Sequence, residues 1–169
     1  IHLQDTFEVN RVNHAFDPDP AGIEINAWFL YDWKPLTEEE IRRGLLILSW
    51  SREDLLELVA GLSGEQMTRK YPDERWSIHG VLRHIANAEH WYLDRLLLAG
   101  CSREELPEDV FERLLLVRKR LADVLSGLAG SSEVRGVEGE FWSPRKLLRR
   151  AAWHEIDHIE HIFKLIAIQ

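Results

Sequence analysis

The chain has 169 residues, 45% of them hydrophobic and 30% charged, a globular balance that suits one domain with a sizeable core. Its net charge of −8 argues against a nucleic-acid partner, and no run approaches the ~20 apolar residues that span a bilayer. The single cysteine, Cys101, excludes an intramolecular disulfide and a Cys-rich zinc module, and fits a reducing cytoplasm.

Residues 1–36 form an atypical arm. IHLQDTFEVN lacks the basic and apolar run of a secretory leader, and the first residue is Ile, so a processed chain or a fragment is expected. Pro18, Pro20, Gly22 and Pro35 disfavour a long helix here. EVNRV and GIEINAWFLYDW read as two short strands around a DPDPAG turn. This arm is either the tail of an upstream domain or a segment packed on the helices of residues 37–169.

Residues 37–169 read as four long helices. The first opens at Thr37, where Thr37 and Glu40 have capping-box spacing. Its apolar stripe runs Ile41, Leu45, Leu48, Leu55, Val59, Leu62, with Arg52 interrupting. A loop then leads to Trp76. Ser77 is the expected cap of the second helix, whose stripe runs Ile78, Val81, Ile85, Ala88, Tyr92, Leu96 and ends at Gly100. The third spans about 107–128, with Val110, Leu114, Val117, Leu121 and Leu125 on one face. The loop GSSEVRGVEGEFW comes next. Ser143 at the cap and Pro144 at the first helical position start the last helix, which runs nearly to Gln169. The predicted fold is all-α, a four-helix bundle preceded by a short arm with β character.

The last helix carries RRAAWHEIDHIEHIFKLI. His154 and His158 lie one turn apart on one face. Leu147, Ala151, His154, His158, Ile162 and Leu165 form one continuous stripe, so both imidazoles occupy positions where a bundle expects core residues. Leaving them unpartnered there would cost ~1–3 kcal/mol each, and a metal ion shared by both removes that cost. A third ligand from another helix is expected, and the second helix offers His84, ~40° around from Ala88 at the edge of its core face. His79 and His90 point further from the stripe and are expected at the surface. Three imidazoles leave a coordination position for water or substrate, the layout of a catalytic site. Such an ion polarises a carbonyl, acidifies water or activates a thiol. His161 lies ~10 Å along the axis from His154, too far to share one ion comfortably. It is expected to support a ligand imidazole or to sit at the surface, the second choice being a ligand set of His158, His161 and His84.

His154-Glu155-Ile156-Asp157-His158 is also a literal H-E-x-x-H string, the zincin signature with Glu155 as general base. Only eleven residues follow His158, which leaves little room for a downstream ligand, and the region before reads as helices rather than a substrate-aligning sheet. Glu155 is therefore expected in solvent or against a ligand. Glu89 can hydrogen-bond a ligand imidazole, although an ion pair at the surface with Arg95 or Arg83 is its commoner role. Trp76, Trp91, Trp142 and Trp153 flank the ligand segments and are expected in the core and its rim, the alternative being walls of an apolar pocket at the ion. Arg145, Lys146, Arg149 and Arg150 are expected to form a solvated helix face, the alternative being a docking patch for an acidic substrate at a cleft mouth.

Trp76-Ser77-Ile78 leading to Leu82-Arg83-His84-Ile85, Ala88-Glu89-His90-Trp91-Tyr92-Leu93, and Trp142-Ser143-Pro144-Arg145-Lys146-Leu147-Leu148 leading to His154-Glu155 and His158 resemble the DinB/YfiT family. The resemblance covers about residues 37–169. It implies an up-down-down-up four-helix bundle, often a homodimer, with His84, His154 and His158 as ligands of a divalent metal, zinc or nickel first. It also implies a small-molecule substrate and thiol chemistry, as in transferases and an isomerase that use a low-molecular-weight thiol. The arm and the segment Phe29 to Glu40 are similar to members with an antitoxin-like domain before the bundle. The competing reading is a non-catalytic regulatory or dimerisation module with a structural or lost metal.

Overall fold

The computed structural model describes residues 27–168. Its long helices are α1 (Glu38–Val59), α3 (Ile78–Asp94), α4 (Val110–Ser126) and α5 (Pro144–Ala167); α2 (Gly64–Thr68) is a short helix between α1 and α3. A two-stranded antiparallel hairpin, β1 (Arg135–Val137) and β2 (Glu140–Trp142), pairs Arg135 with Trp142 and Val137 with Glu140 just before α5.

Local signals set the helix starts. The Thr37 hydroxyl accepts from the Glu40 amide and the Glu40 carboxylate accepts from the Thr37 amide, a complete capping box. Ser77 caps α3, and Ser143 with Pro144 opens α5. The loop expected between α1 and α3 instead contains α2, capped by Ser63 and Gln66 in the same reciprocal way. Helix α3 stops at Asp94 rather than Gly100, and the chain then turns, with Leu97 at φ 60°.

The loop expected before α5 is the hairpin. Its two-residue turn, Glu138-Gly139, has φ of 51° and 82°, the paired left-handed conformation that matches strand twist. The hairpin delivers Trp142, fully buried, against Tyr92 (ring centroids 5.5 Å, stacked) and Trp91 (5.3 Å, edge-on) of α3.

Side-chain contacts give the topology. Glu40 meets Arg145 and Ser51 meets Glu155, so α1 and α5 run parallel. Asn87 meets Arg113 and Glu89 meets Arg118, so α3 and α4 run parallel. His84 meets His154 while Tyr92 meets Arg150, which makes α3 and α5 antiparallel. The result is the up-down-down-up bundle. Helices α1 and α5 approach closely at Gly44, where a Cβ would lie 2.5 Å from Leu148 Cδ2. Leu48, Leu55, Leu82, Ile85, Leu114, Leu121, Leu147 and Ile162 fill the interior between the four helices.

In the arm, the strand expectation for EVNRV lies outside the described residues. The end of GIEINAWFLYDW is not a strand: Leu30–Trp33 is a 3-10 turn, because the Asp32 carboxylate accepts from the Phe29 amide and closes it. Trp28 and Leu36 are buried against the bundle. The basic cluster of α5 explains this packing and is not a solvated face. Arg145 binds Glu40 and the Lys34 and Pro35 carbonyls, and Arg149 binds Asp32 (2.7 Å) and the Ala27 carbonyl. Lys146 is fully buried; it donates to the Phe141 carbonyl (2.9 Å) and lies 4.3 Å over the Trp142 ring. Burial pushes its pKa down to about 8, against the pull of Glu140.

Candidate metal centre

His84 on α3 and His154 and His158 on α5 converge. The Nε2 atoms of His84 and His158 each lie 3.1 Å from His154 Nε2. All three rings can offer nitrogens within 4.8 Å of one another, the one such group among the described residues. The antiparallel crossing of α3 and α5 brings His84 opposite the i, i+4 pair. Trp76 stacks on His84 (centroids 4.4 Å, interplanar 22°) and Tyr92 meets His154 edge-on, so the rings are held from the sides.

Without an ion the arrangement is frustrated. His154 Nε2 has one proton or one lone pair, yet faces two other nitrogens at hydrogen-bond distance. Two nitrogens bound to one ion at the usual zinc–nitrogen length of about 2.0–2.1 Å stand roughly 3 Å apart, so the observed spacing fits a shared cation. The rings are also kept neutral, as ligation requires. Burial and then the neighbouring His158, Arg75 and Arg103 push His84 down to about 4. Burial, His158, His84 and Arg150 depress His154, and burial depresses His158 against the opposing charge of Asp157. His154 Nδ1 and His158 Nδ1 are buried with no partner among the described residues.

The histidines line a cavity of about 760 Å³, walled by Trp76, Trp91, Tyr92 and Trp153 and rimmed by Arg75, Arg103, Arg150 and Asp157. Three of the four expected tryptophans therefore face the cavity, Trp91 among them, while Trp142 is core. Arg150 alone of the α5 basic cluster reaches it.

Other placements correct the sequence reading. Glu155 is neither in solvent nor against a ligand. It is 0% exposed; Arg52 Nε donates to its Oε1 (2.6 Å), and Ser51 (2.5 Å) and Arg118 (2.7 Å) donate to its Oε2. Both oxygens are thus occupied by partners from α1 and α4, and the zincin general-base role has no geometry here. Glu89 is not a surface residue and touches no imidazole: it pairs with Arg118 and Arg52, while Arg95 binds Glu138 and Arg83 binds Glu108. Arg52, Glu89, Arg118 and Glu155 come one from each long helix and form a charge-balanced cluster inside the bundle. Burial alone would raise the Glu155 pKa; Arg52 and Arg118 more than offset this and hold it low. The interruption of the α1 stripe by Arg52 was the sequence signal for this cluster.

His90 is buried, not exposed, because its Nε2 donates to the Cys101 carbonyl (3.0 Å) and ties the end of α3 to the following turn. His79 is half-buried. His161 binds Glu74 (3.0 Å), and its ring centroid is 6.0 Å from that of His158. No helix among the described residues is long and apolar enough to cross a membrane.

No curated protein and no solved structure matches the chain. A family model described as the DinB superfamily does match, over residues 47–162, a span that includes all three histidines, and the chain belongs to that superfamily.

Proposed function

We propose that this protein is a divalent-metal-dependent enzyme acting on a small molecule, with His84, His154 and His158 as the ligands and a low-molecular-weight thiol as co-substrate. The observation that carries this reading is the convergence of three neutral imidazoles on a cavity large enough for a substrate, with His84 and His158 Nε2 each 3.1 Å from His154 Nε2. Zinc or nickel suits an all-imidazole set. When bound, the ion supplies a Lewis acid that lowers the pKa of a thiol or water. The chain's residues do the rest: the histidines hold the ion, Trp76 fixes the His84 ring, and the aromatic walls give the substrate an apolar surface beside the ion.

The test is turnover of an electrophile by metal-reconstituted protein, with and without a panel of low-molecular-weight thiols. Metal-dependent loss of free thiol with conjugate formation is expected. Turnover that ignores thiol would refute the transferase version, and substoichiometric metal unchanged by supplementation would favour a non-catalytic module.

A further inference from the structure

Fifteen arginines fall among the described residues, and all but four are ion-paired to a carboxylate. The exceptions are Arg75, Arg103, Arg120 and Arg150. Arg120 donates to the Leu98 carbonyl, away from the histidines. The other three rim the histidine cavity, where Asp157 is the only carboxylate facing them among the described residues. In a chain with a net charge of −8, this is a concentration of unneutralised positive charge at one opening.

Two of these guanidiniums are positioned by aromatic contacts, and the third, Arg103, is exposed. Arg75 lies 4.4 Å over the Trp76 ring, which also stacks on His84. Arg150 lies 4.9 Å over Trp153 and donates to the Tyr92 hydroxyl (3.3 Å), while its Nε is buried with no partner among the described residues. Arg103 sits on the short 3-10 turn Arg103–Glu105, so the charges come from three separate segments around one space. Aromatic stacking leaves the guanidinium edges free for planar recognition of an oxyanion.

We propose that the ligand of this cavity is a small organic oxyanion, a carboxylate or phosphate, held by Arg75, Arg103 and Arg150 with its apolar body against Trp76 and Trp153. The proposal deepens the metal-enzyme reading and rests on it for the choice of site.

The test uses tryptophan fluorescence to titrate 3-phenylpropionate, phenyl phosphate and the neutral 3-phenylpropanamide into metal-loaded and metal-free protein. At least one anion is expected to bind about ten-fold or more tighter than the amide, the scale of charge-assisted hydrogen bonds. The phosphate arm tells which oxyanion is preferred. In the Arg75→Gln/Arg103→Gln/Arg150→Gln variant the preference should vanish with metal content unchanged. The Lys versions should keep part of it, and Arg120→Gln should keep all of it. Equal binding of anions and amide, no binding of any probe, or a preference that survives the triple Gln variant would overturn the proposal. Measurement on metal-free protein separates the two readings. A preference without metal uptake would sink only the metal enzyme, and metal uptake without a preference would sink only the oxyanion.

Discussion

Arg52 of α1 and Glu155 of α5 meet at 2.6 Å inside the bundle, although the metal ligands His154 and His158 flank Glu155 in sequence. The residue that a zincin would use as its base is therefore structural. Breaking one member of a buried charge cluster leaves an uncompensated charge, which costs ~3–5 kcal/mol. Glu155→Leu is expected to destabilise by that amount in chemical denaturation, because Arg52 and Arg118 would share Glu89 alone. A loss within the error of the measurement would mean that water, not protein, balances these charges.

The loss of stability that begins near pH 6.5 in the metal-free protein comes from the histidines, whereas carboxylates such as Glu40 add to it only below about 4.5. An unfolded imidazole titrates near 6.5, whereas folded His84 titrates at about 4 and His154 and His158 are also lowered. Between those values the unfolded chain binds more protons, so stability falls as pH falls through the window of 6.5 to about 4 and is fully present above 6.5. Thermal melts should show this acid loss in metal-free protein, and His158→Gln should reduce it. A flat profile across that window would contradict the burial of the rings.

The hairpin turn offers a backbone test. Gly139 has φ of 82° and open space around it, so Gly139→Ala is penalised by conformation alone, about 1 kcal/mol. Gly61 has equally open surroundings without a positive φ, and Gly61→Ala should cost nothing. Melting temperatures of the two variants check the difference; equal values would argue against the left-handed turn that seats Trp142.

What was legible in the sequence was local or periodic. Thr37 with Glu40, Ser77, and Ser143 with Pro144 each announce a helix start within four residues, and the i, i+4 spacing of His154 and His158 is a property of one helix. Ser63 and Gln66 carried the same capping signal as Thr37 and Glu40, but the helix they start is too short to show a stripe. The three-residue strands of the hairpin are likewise too short to establish an alternation. The pairing of Glu89 and Glu155 with Arg52 and Arg118 depends on which helices face each other, which no single helix encodes. His90 was misplaced for the same reason: α3 packs against both α4 and α5, so its buried face is wider than one stripe.

The central claim is that the three histidines hold one ion, and metal content measures it most directly. Untagged protein, dialysed after incubation with zinc or nickel, should carry one equivalent per chain. His84→Ala and His158→Ala should each lose it to a similar, near-complete extent, because their Nε2 atoms stand equally far from His154 Nε2, at 3.1 Å. Full retention of metal by His84→Ala, with His158→Ala empty, would contradict the account and move the third ligand elsewhere.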